Sequence, residues 1–262
     1  MMTSQDVPSS LFPSAGLLKD KRVVITGGSR GIGKALCDVF AREGASVAFL
    51  YNSNDEAAQD TLRLIEAHGS KGKAFKCSVT DRDGIKNLVK ELTDEWGGID
   101  ILVNNAAINK ADNFATTTES SWHGIIDTNV NGLYYVTKPI LKQMMKQRKG
   151  SILNITSIAA QRCMPTSVHY STSKAAVIGF TKGLARESVG FNITVNAIAA
   201  GMYNTDLGHS LPDKLLDIYK DWVPKGRLGN PADLAEFAVF MVSDRNTYMQ
   251  GEVVTIDGGA TV

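Results

Sequence analysis

The sequence predicts an α/β fold in which a single parallel sheet is covered by helices on both faces. Two observations support this fold class. Short β-branched runs alternate with amphipathic helical segments along most of the chain. The links between them are short, and a glycine-rich turn joins the first strand directly to the first helix. The first run, Arg22-Val-Val-Ile-Thr26, is typical of a buried parallel strand.

Each element is predicted from its own pattern. The first helix follows the glycine turn, because Ile32, Leu36, Val39 and Phe40 recur at helical spacing. Apolar runs predict strands at 22–26, 45–51, 73–79, 99–104, 151–156, 192–198 and 252–257. Helical periodicity predicts further helices at 55–68, 82–96, 119–147, 168–188 and 231–242. No linker interrupts the alternation, so one domain is expected over residues 19–262. Residues 1–18, rich in Ser and Pro, are expected to form a mobile leader.

Composition excludes several classes of function. The chain has 28 Lys and Arg against 27 Asp and Glu, so no nucleic-acid partner is expected. No apolar run approaches the length of a membrane span, and the N-terminus lacks the pattern of a signal peptide. The three cysteines have no metal-like spacing, so we expect no metal site. Together these features indicate a cytoplasmic protein.

The segment from Thr26 to Gly33 reads Thr-Gly-Gly-Ser-Arg-Gly-Ile-Gly. Glycines permit a tight turn and let backbone N–H groups approach a pyrophosphate, and a helix N-terminus attracts the anion. A glycine pattern alone could be only a turn. Its place between a strand and a helix favours dinucleotide binding.

A second pattern lies between Ser157 and Lys174. Tyr170 and Lys174 are four residues apart, so they share one face of a helix. A nearby ammonium is expected to lower the pKa of a tyrosine hydroxyl from its usual value of about 10. Ser157 ends a strand-like run, and its hydroxyl can donate to the same substrate oxygen. On its own, Tyr-x-x-x-Lys is more often an ordinary solvated helix face.

With these motifs in the family's order and spacing, the chain resembles the short-chain dehydrogenase/reductases. The matching residues are Thr26, Gly27, Gly31, Gly33, Asn104, Asn105, Ala106, Asn129, Ser157, Tyr170 and Lys174. Within that family it is most similar to 3-oxoacyl-(acyl carrier protein) reductases, on segments 223–229 and 251–259. The resemblance implies a Rossmann-type, doubly wound sheet of about seven strands and a homotetramer.

The resemblance also implies roles. Tyr170 would be the proton donor, Lys174 would lower its pKa and hold the nicotinamide ribose, Ser157 would fix the carbonyl oxygen and Asn129 would support a water relay. The cofactor would be bound by Tyr170 and Lys174 together with Gly27, Ser29, Arg30, Gly31, Ile32, Gly33, Asn52, Ser53, Ser78, Val79, Asn105, Ala106, Tyr203 and Thr205. Three positions depart from the family pattern, namely Ala107, Ala200 and Ser78.

The cofactor is expected to be NADP(H) rather than NAD(H). An NAD site usually has Asp or Glu at the end of the second strand. Here that position is Tyr51, followed by Asn52 and Ser53, while Arg30 can grip a 2′-phosphate. If Arg30 instead points to solvent, the expected preference for NADP(H) rests only on the missing Asp or Glu at the end of the second strand.

The expected reaction is reduction of a ketone, first of all a 3-oxoacyl thioester or a polyketide-type ketone. A free sugar, steroid or cyclic ketone is the alternative; a redox-silent dinucleotide sensor and a methyl transferase are less favoured. An acyl carrier protein is a possible partner. By resemblance it would dock on two basic positions, of which Arg148 is one and Phe191 replaces the other. A substrate loop is expected over residues 201–230, with apolar side chains facing the ligand.

Overall fold

The computed structural model describes residues 16–205 and 222–262. Within them lies one seven-stranded parallel sheet with the order β3-β2-β1-β4-β5-β6-β7. Its strands are β1 Arg22–Thr26, β2 Ser46–Tyr51, β3 Gly72–Lys76, β4 Ile101–Asn104, β5 Gly150–Ser157, β6 Ile193–Ala200 and β7 Val253–Ile256. The predicted fold class is confirmed.

The helices follow the predicted alternation. They are α1 Gly31–Arg42, α2 Asp55–Ala67, α3 Arg82–Trp96, α4 Glu119–Ile126, α5 Gly132–Gln147, α6 Val168–Ser188 and α7 Pro231–Val242. The single helix predicted over 119–147 is in fact two, α4 and α5, joined by a π turn at Asp127–Asn131. Periodicity does not reveal this insertion, because the apolar pattern is weak on both sides of it.

The sheet has a hydrophobic core on each face. One core packs α1 and α7 against the sheet and includes Phe40, Phe49 and Leu234, each fully buried. The other packs α3 and α5 and includes Leu92 and Ile140. Truncating a buried phenylalanine of this kind to alanine typically costs about 3–5 kcal/mol, so these two layers hold the sheet in place.

Several boundaries differ from the predicted ones by a few residues, and two of these differences affect how the chain packs. The third strand was expected over 73–79 but ends at Lys76. The chain leaves the sheet there because the Ser78 hydroxyl accepts from the Thr80 N–H and Asp81 caps α3. At the N-terminus, Leu18 belongs to the predicted leader yet is fully buried, and its N–H donates to the Glu43 carbonyl. The packed chain therefore includes residues assigned to the leader.

Only the two ends of the predicted substrate loop at 201–230 lie in the described part of the chain, since residues 206–221 fall outside it. Ala200 is buried in β6, and the Gly201 N–H donates to the Ile256 carbonyl at 2.9 Å. The Gly229 N–H donates to the Met202 carbonyl at 2.9 Å. The loop thus starts from a hydrogen-bonded base, although Ala200 departs from the expected family pattern.

No helix within residues 16–205 and 222–262 is long and apolar enough to span a membrane. The same residues contain no group of three or more His, Cys, Asp or Glu side chains arranged to hold a metal ion.

Candidate active site

The predicted site residues follow the carboxyl ends of β1, β4 and β5. Strand order reverses between β1 and β4, and crevices at such switch points bind ligands in open α/β sheets. The two strand ends are tied together there. The Thr26 hydroxyl oxygen accepts hydrogen bonds from the N–H groups of Asn105 and Ala106, each at 2.9 Å. The Asn105 amide donates to the carbonyls of Thr26 and Gly27, at 2.9 and 3.2 Å.

The glycine turn has no space for side chains at two of its predicted positions. A Cβ on Gly33 would lie 2.0 Å from the Gly27 carbonyl oxygen. Gly27 itself has φ of +68°, and a Cβ there would lie 3.1 Å from the Ala106 Cα. Gly31 has φ of +55° and faces the Thr205 methyl group. The turn is therefore a bare backbone surface at the N-terminus of α1, as a bound pyrophosphate requires.

The other residues of the turn have different surroundings. Ser29 is buried, and its carbonyl accepts from the Thr61 hydroxyl at 3.2 Å. Arg30 is exposed immediately before α1, in an extended conformation. Ile32 packs against the core. The structure thus leaves Arg30 on the surface of the turn, while Ser29 and Ile32 anchor the turn to the fold.

The end of β2 presents polar rather than acidic groups. Asn52 and Ser53 are exposed there. The nearest carboxylate along the chain, Asp55, accepts from the Tyr51 hydroxyl at 3.0 Å and from the Lys76 ammonium at 2.7 Å. The negative charge of Asp55 is therefore already compensated by the positive charge of Lys76.

Ser78 and Val79, predicted to lie on the adenine side, are held by neighbouring residues. The Ser78 hydroxyl lies 2.8 Å from that of Thr80. Val79 is buried against α5, where a Cβ on Gly132 would lie 2.6 Å from its side chain. The turn after β3 is thereby fixed in place, with Ser78 only partly buried.

Tyr170 and Lys174 lie on the first two turns of α6, as their spacing predicts. The Lys174 side chain is buried, and its ammonium donates to the Ile155 carbonyl at 2.9 Å. Its Nζ lies 5.8 Å from the centroid of the Tyr170 ring. The Thr156 hydroxyl donates to the Lys174 carbonyl at 2.7 Å, which fixes α6 to the end of β5.

The pKa values of this pair differ from the expected ones. Burial raises the pKa of Tyr170 to about 12, and the hydrogen bond with Ser157 only partly offsets this effect. Burial also lowers the pKa of Lys174 to about 8. The pKa of Tyr170 is thus raised rather than lowered, because desolvation of its hydroxyl is the largest effect. The Lys174 ammonium, which was expected to lower this pKa, is directed at the Ile155 carbonyl.

Ser157 is the last residue of β5. Its hydroxyl oxygen accepts from the Ala159 N–H at 3.2 Å and interacts with Tyr170. Since that N–H uses an oxygen lone pair, the hydroxyl proton remains able to donate. The serine is thus fixed in position with a donor next to the tyrosine.

Asn129 lies in the π turn and is buried. Its amide oxygen accepts from the Ile108 N–H, and its amide nitrogen donates to the Ile108 carbonyl, both at 2.9 Å. The second amide proton goes to the Ser173 hydroxyl at 3.0 Å, which in turn donates to the Tyr170 carbonyl at 2.7 Å. Both amide protons are therefore used to connect the loop after β4 with α6. π turns recur at functional sites.

A cavity of about 10 Å³ lies between Asn129 and Lys174. This is about the volume that one water molecule needs. Asn104 also lines it, and the Asn104 amide oxygen is buried with no partner among the described residues. A buried orphan acceptor beside a water-sized polar cavity fits an ordered water.

Comparison with known proteins decides the family. A family model described as Enoyl-(Acyl carrier protein) reductase matches residues 27–261. The 3-oxoacyl-(acyl-carrier-protein) reductase of Thermotoga maritima is 39% identical over 248 residues, which cover 94% of this chain and 99% of that protein. The chain belongs to the short-chain dehydrogenase/reductase family. It is therefore an oxidoreductase, and the methyl-transferase alternative falls away.

Other relatives agree with this assignment. The 3-oxoacyl-(acyl-carrier-protein) reductase of Vibrio cholerae is 37% identical, over 92% of this chain and 98% of that one. A short-chain type dehydrogenase/reductase from Mycobacterium marinum superposes with a TM-score of 0.89 at 34% identity, covering 93% and 96% of the two chains. A short chain dehydrogenase from Burkholderia cenocepacia, solved in complex with NADP, gives 0.87 at 32% identity, covering 94% and 99%.

Tyr203 is placed differently from the expectation for this short-chain dehydrogenase/reductase. It was expected to touch the nicotinamide end, but its side chain is buried in the core. The hydroxyl donates to the Ile256 carbonyl at 3.0 Å, and the ring packs on Gly229. Burial also raises its pKa. Thr205, by contrast, lies against Gly31 of the glycine turn, on the side expected for the cofactor.

Some polar residues of this short-chain dehydrogenase/reductase were not predicted. The Asn104 amide donates to the Thr137 hydroxyl and to the Asn154 amide oxygen, and Asn154 donates to the Thr181 hydroxyl. This buried chain links β4 and β5 to α5 and α6 behind Lys174. A signal was present in the sequence, because an asparagine at position 154 stands between the apolar residues Leu153 and Ile155 of the predicted strand.

Proposed function

We propose that this chain reduces the ketone of a 3-oxoacyl thioester to a secondary alcohol, with NADPH as the hydride donor. The observation that carries the proposal is the meeting of Tyr170, Ser157 and Lys174 at the end of β5, beside a bare glycine turn. Relatives at up to 39% identity are named 3-oxoacyl-(acyl-carrier-protein) reductases, which supports this substrate class.

The site residues divide the work between binding and proton transfer. A nicotinamide dinucleotide held by the glycine turn, Asn105 and Ala106 would supply the hydride for the substrate carbonyl carbon. Ser157 donates a hydrogen bond to the carbonyl oxygen, and Tyr170 gives that oxygen its proton. With a pKa of about 12, Tyr170 holds its proton at neutral pH, which suits the direction of reduction.

Lys174 is the internal source from which Tyr170 regains its proton. Its pKa of about 8 leaves it mostly protonated at pH 7 but able to give up a proton. The cavity beside it holds about one water, bounded by Asn129 and Asn104. We infer that Asn129 acts by shaping this cavity, since both of its amide protons are bound by protein groups.

The glycine turn, with Asn105 and Ala106, would hold the dinucleotide, because a Cβ on Gly27 or Gly33 would fill that cradle. We propose a preference for NADP(H). Arg30 is exposed at the turn, and the end of β2 carries the neutral residues Asn52 and Ser53. A guanidinium can bind a 2′-phosphate with two parallel hydrogen bonds. The related Burkholderia cenocepacia structure was solved with NADP.

A carrier-bound substrate is supported by the surface at the ends of α5 and α6. The Arg148 guanidinium lies 5.9 Å from the Phe191 ring and donates to the Gly190 carbonyl at 3.1 Å. The two predicted docking positions are therefore adjacent, with a cation stacked on an aromatic ring. We propose that an acyl carrier protein meets Arg148 there, aided by charge attraction.

A homotetramer is proposed as well. Large apolar side chains are exposed on three helices: Tyr134 on α5, Val168 at the start of α6 and Phe240 on α7. Self-association would cover them. Light scattering coupled to size exclusion gives the mass in solution, and a monomer at micromolar concentration would contradict this proposal.

The substrate class is tested by following NADPH oxidation with four kinds of substrate. These are acetoacetyl thioester on carrier protein, the same acyl group on a short thiol, free cyclic ketones, and an enoyl thioester. We expect turnover of both acetoacetyl thioesters and none of the enoyl thioester, because the site offers an acid for a carbonyl oxygen. Turnover of free ketones alone would favour the alternative, a reductase of small free ketones.

A further inference from the structure

A second group of titratable side chains lies beside the active site. His169, on α6, is fully buried, and its Nε2 lies 3.5 Å from the Asp112 carboxylate and 3.4 Å from the Ser121 hydroxyl. The Ser121 hydroxyl, on α4, also hydrogen-bonds the same Asp112 carboxylate. Lys110 pairs with this carboxylate at 3.4 Å. The proposed reaction uses none of these groups directly.

The arrangement is not that of a nucleophile with its base. In a catalytic serine–histidine–aspartate set, the acid and the serine bind opposite nitrogens of the ring. Here Asp112 and Ser121 both meet Nε2, and Nδ1 is buried with no partner among the described residues. The surroundings of the ring fit the tautomer that carries its proton on Nε2. In that tautomer the buried Nδ1 is an acceptor without a partner among the described residues, whereas in the other tautomer it would be a buried donor without one. His169 is thus a fixed donor toward the carboxylate.

Asp112 is attached to α6 and α4 at the far end of the loop that follows β4. The same loop is held at two further points. Asn129 binds both backbone groups of Ile108, and the Ser167 hydroxyl donates to the Asn109 amide oxygen at 3.1 Å. Residues 105–113 are therefore anchored at three places, two of them to the start of α6, where Tyr170 follows His169 directly.

The anchored loop, residues 105–113, begins beside the proposed cofactor site. Further along, the loop and the residue just beyond it expose apolar side chains to solvent. Asn105 and Ala106 are bonded to Thr26 at the end of β1. Ile108 is 45% exposed, and Phe114, just beyond Asp112, is 63% exposed. Exposed apolar side chains on and beside a loop that is tied to the first turns of α6 form a surface suited to an acyl chain.

We propose that His169, through Asp112 and Ser121, is a positioning residue that fixes residues 105–113 as one wall of the acyl-substrate cleft. The hydrogen bond from Nε2 sets the distance between this wall and the first turn of α6. This inference rests on the proposed ketone reductase activity. Its consequence is a selective effect on the ketone substrate, since Asn105 and Ala106 keep their own bonds to Thr26 and the glycine turn and Arg30 lie on other elements.

The test compares His169→Leu, which removes the donor, with His169→Gln, whose amide can reach the place of Nε2. Steady-state kinetics with acetoacetyl thioester and NADPH are measured for both. For His169→Leu we expect the KM of the thioester to rise at least fivefold, with kcat and the KM of NADPH changed less than twofold. His169→Gln should restore a KM close to that of the wild type. His123→Leu, an exposed change on α4, is the matched control.

Ser121→Ala is the second variant, because it removes one bond to Asp112 without opening a large cavity. Should His169→Leu fail to fold, a raised thioester KM in Ser121→Ala supports the proposal and an unchanged one overturns it. An unchanged KM in folded His169→Leu, or a glutamine variant as impaired as the leucine variant, overturns it too.

Amide hydrogen exchange separates this proposal from the proposed function. In His169→Leu and Ser121→Ala, faster exchange confined to residues 105–113 supports the anchor whether or not the protein turns over a thioester. Exchange unchanged in that loop overturns the anchor. Absence of turnover in the wild type would instead contradict the proposed function alone.

Discussion

The α-carbon of Gly33 faces the carbonyl oxygen of Gly27 so closely that a Cβ would lie 2.0 Å from that oxygen. The first and last glycines of the turn are therefore in direct backbone contact. The contact fixes the path by which the chain leaves β1 and enters α1. Any side chain at position 33 must therefore displace backbone as well as the Asn105 side chain, which a Cβ would approach to 2.7 Å.

Gly33→Ala is expected to destabilise the protein by at least about 2 kcal/mol and to abolish detectable dinucleotide binding, since overpacking against backbone cannot relax. Thermal unfolding and cofactor fluorescence titration measure the two effects. The matched control is Gly183→Ala on α6, where a new Cβ meets nothing within 4 Å. That variant should be neutral or more stable by up to about 1 kcal/mol. Equal behaviour of the two variants would contradict the role of this contact.

Tyr170→Phe removes the proposed proton donor while keeping the ring. We expect kcat for ketone reduction to fall by about 10²–10⁴-fold, the usual contribution of a positioned acid. The dissociation constant of NADPH should stay within about threefold of the wild-type value. Tyr248→Phe, on a fully exposed tyrosine, serves as the control. Wild-type turnover in Tyr170→Phe would refute the mechanism.

Lys174 makes stability depend on pH in a defined direction. Its pKa is lowered by burial to about 8 from a usual 10.5, so the unfolded chain binds the proton more tightly. At neutral pH this costs about 3 kcal/mol, at about 1.4 kcal/mol per pKa unit. The cost is present in full below pH 8 and disappears as pH rises toward 10.5.

The free energy of unfolding of Lys174→Met should therefore exceed that of the wild type at pH 7, although the variant is inactive. The difference should shrink between pH 8 and 10 as the wild-type lysine loses its proton. Urea unfolding at four pH values measures it. A difference that stays constant across that range would show that Lys174 does not titrate as a buried amine.

Arg30→Ala tests the cofactor preference. We expect kcat/KM for NADPH to fall about 10–100-fold and that for NADH to change less than threefold, because only NADPH offers a 2′-phosphate to the guanidinium. Arg63→Ala, an exposed arginine of α2, is the control for loss of a positive charge. Equal kcat/KM for the two cofactors, unchanged in Arg30→Ala, would remove the proposed preference.

Arg148→Glu tests docking of a carrier protein. The KM for acetoacetyl thioester on carrier protein should rise at least tenfold at low salt, and the effect should weaken as salt increases. The KM for the short-thiol substrate should not change, since that molecule lacks an acidic surface. Arg63→Glu makes the same charge change on another helix. If the KM rose equally for both substrates, Arg148 would act in the substrate cleft and not at a docking surface.

Much of the fold could be predicted because its signals are local. Seven apolar runs and the helices between them define the sheet, and Tyr170 and Lys174 share one face of a single helix. The anchor at His169 could not be predicted. Its partner Asp112 lies 57 positions away in the chain, and no periodicity connects them. The orientation of Tyr203 likewise depends on Gly229, whose missing side chain leaves room for the ring.

The pKa of Tyr170 shows a different limit. The sequence places an ammonium near the hydroxyl, but only the structure shows that the Lys174 ammonium is bound to Ile155 and that both groups are desolvated. Spacing along a helix predicts proximity. It does not predict burial, and burial determines the sign of the shift here.

The π turn between α4 and α5 has a consequence for how this region tolerates insertions and deletions. One extra residue in a helix rotates everything beyond it by about 100°. Ser121 therefore faces the loop after β4, while Val136 and Ile140, further along, face the sheet. Deleting a single residue from 127–131 would restore a regular helix. Either Ser121 would then turn away from the loop after β4, or Val136 and Ile140 would turn away from the sheet. A change of one residue in the length of this segment would therefore preserve the contacts of α4 or those of α5, but not both.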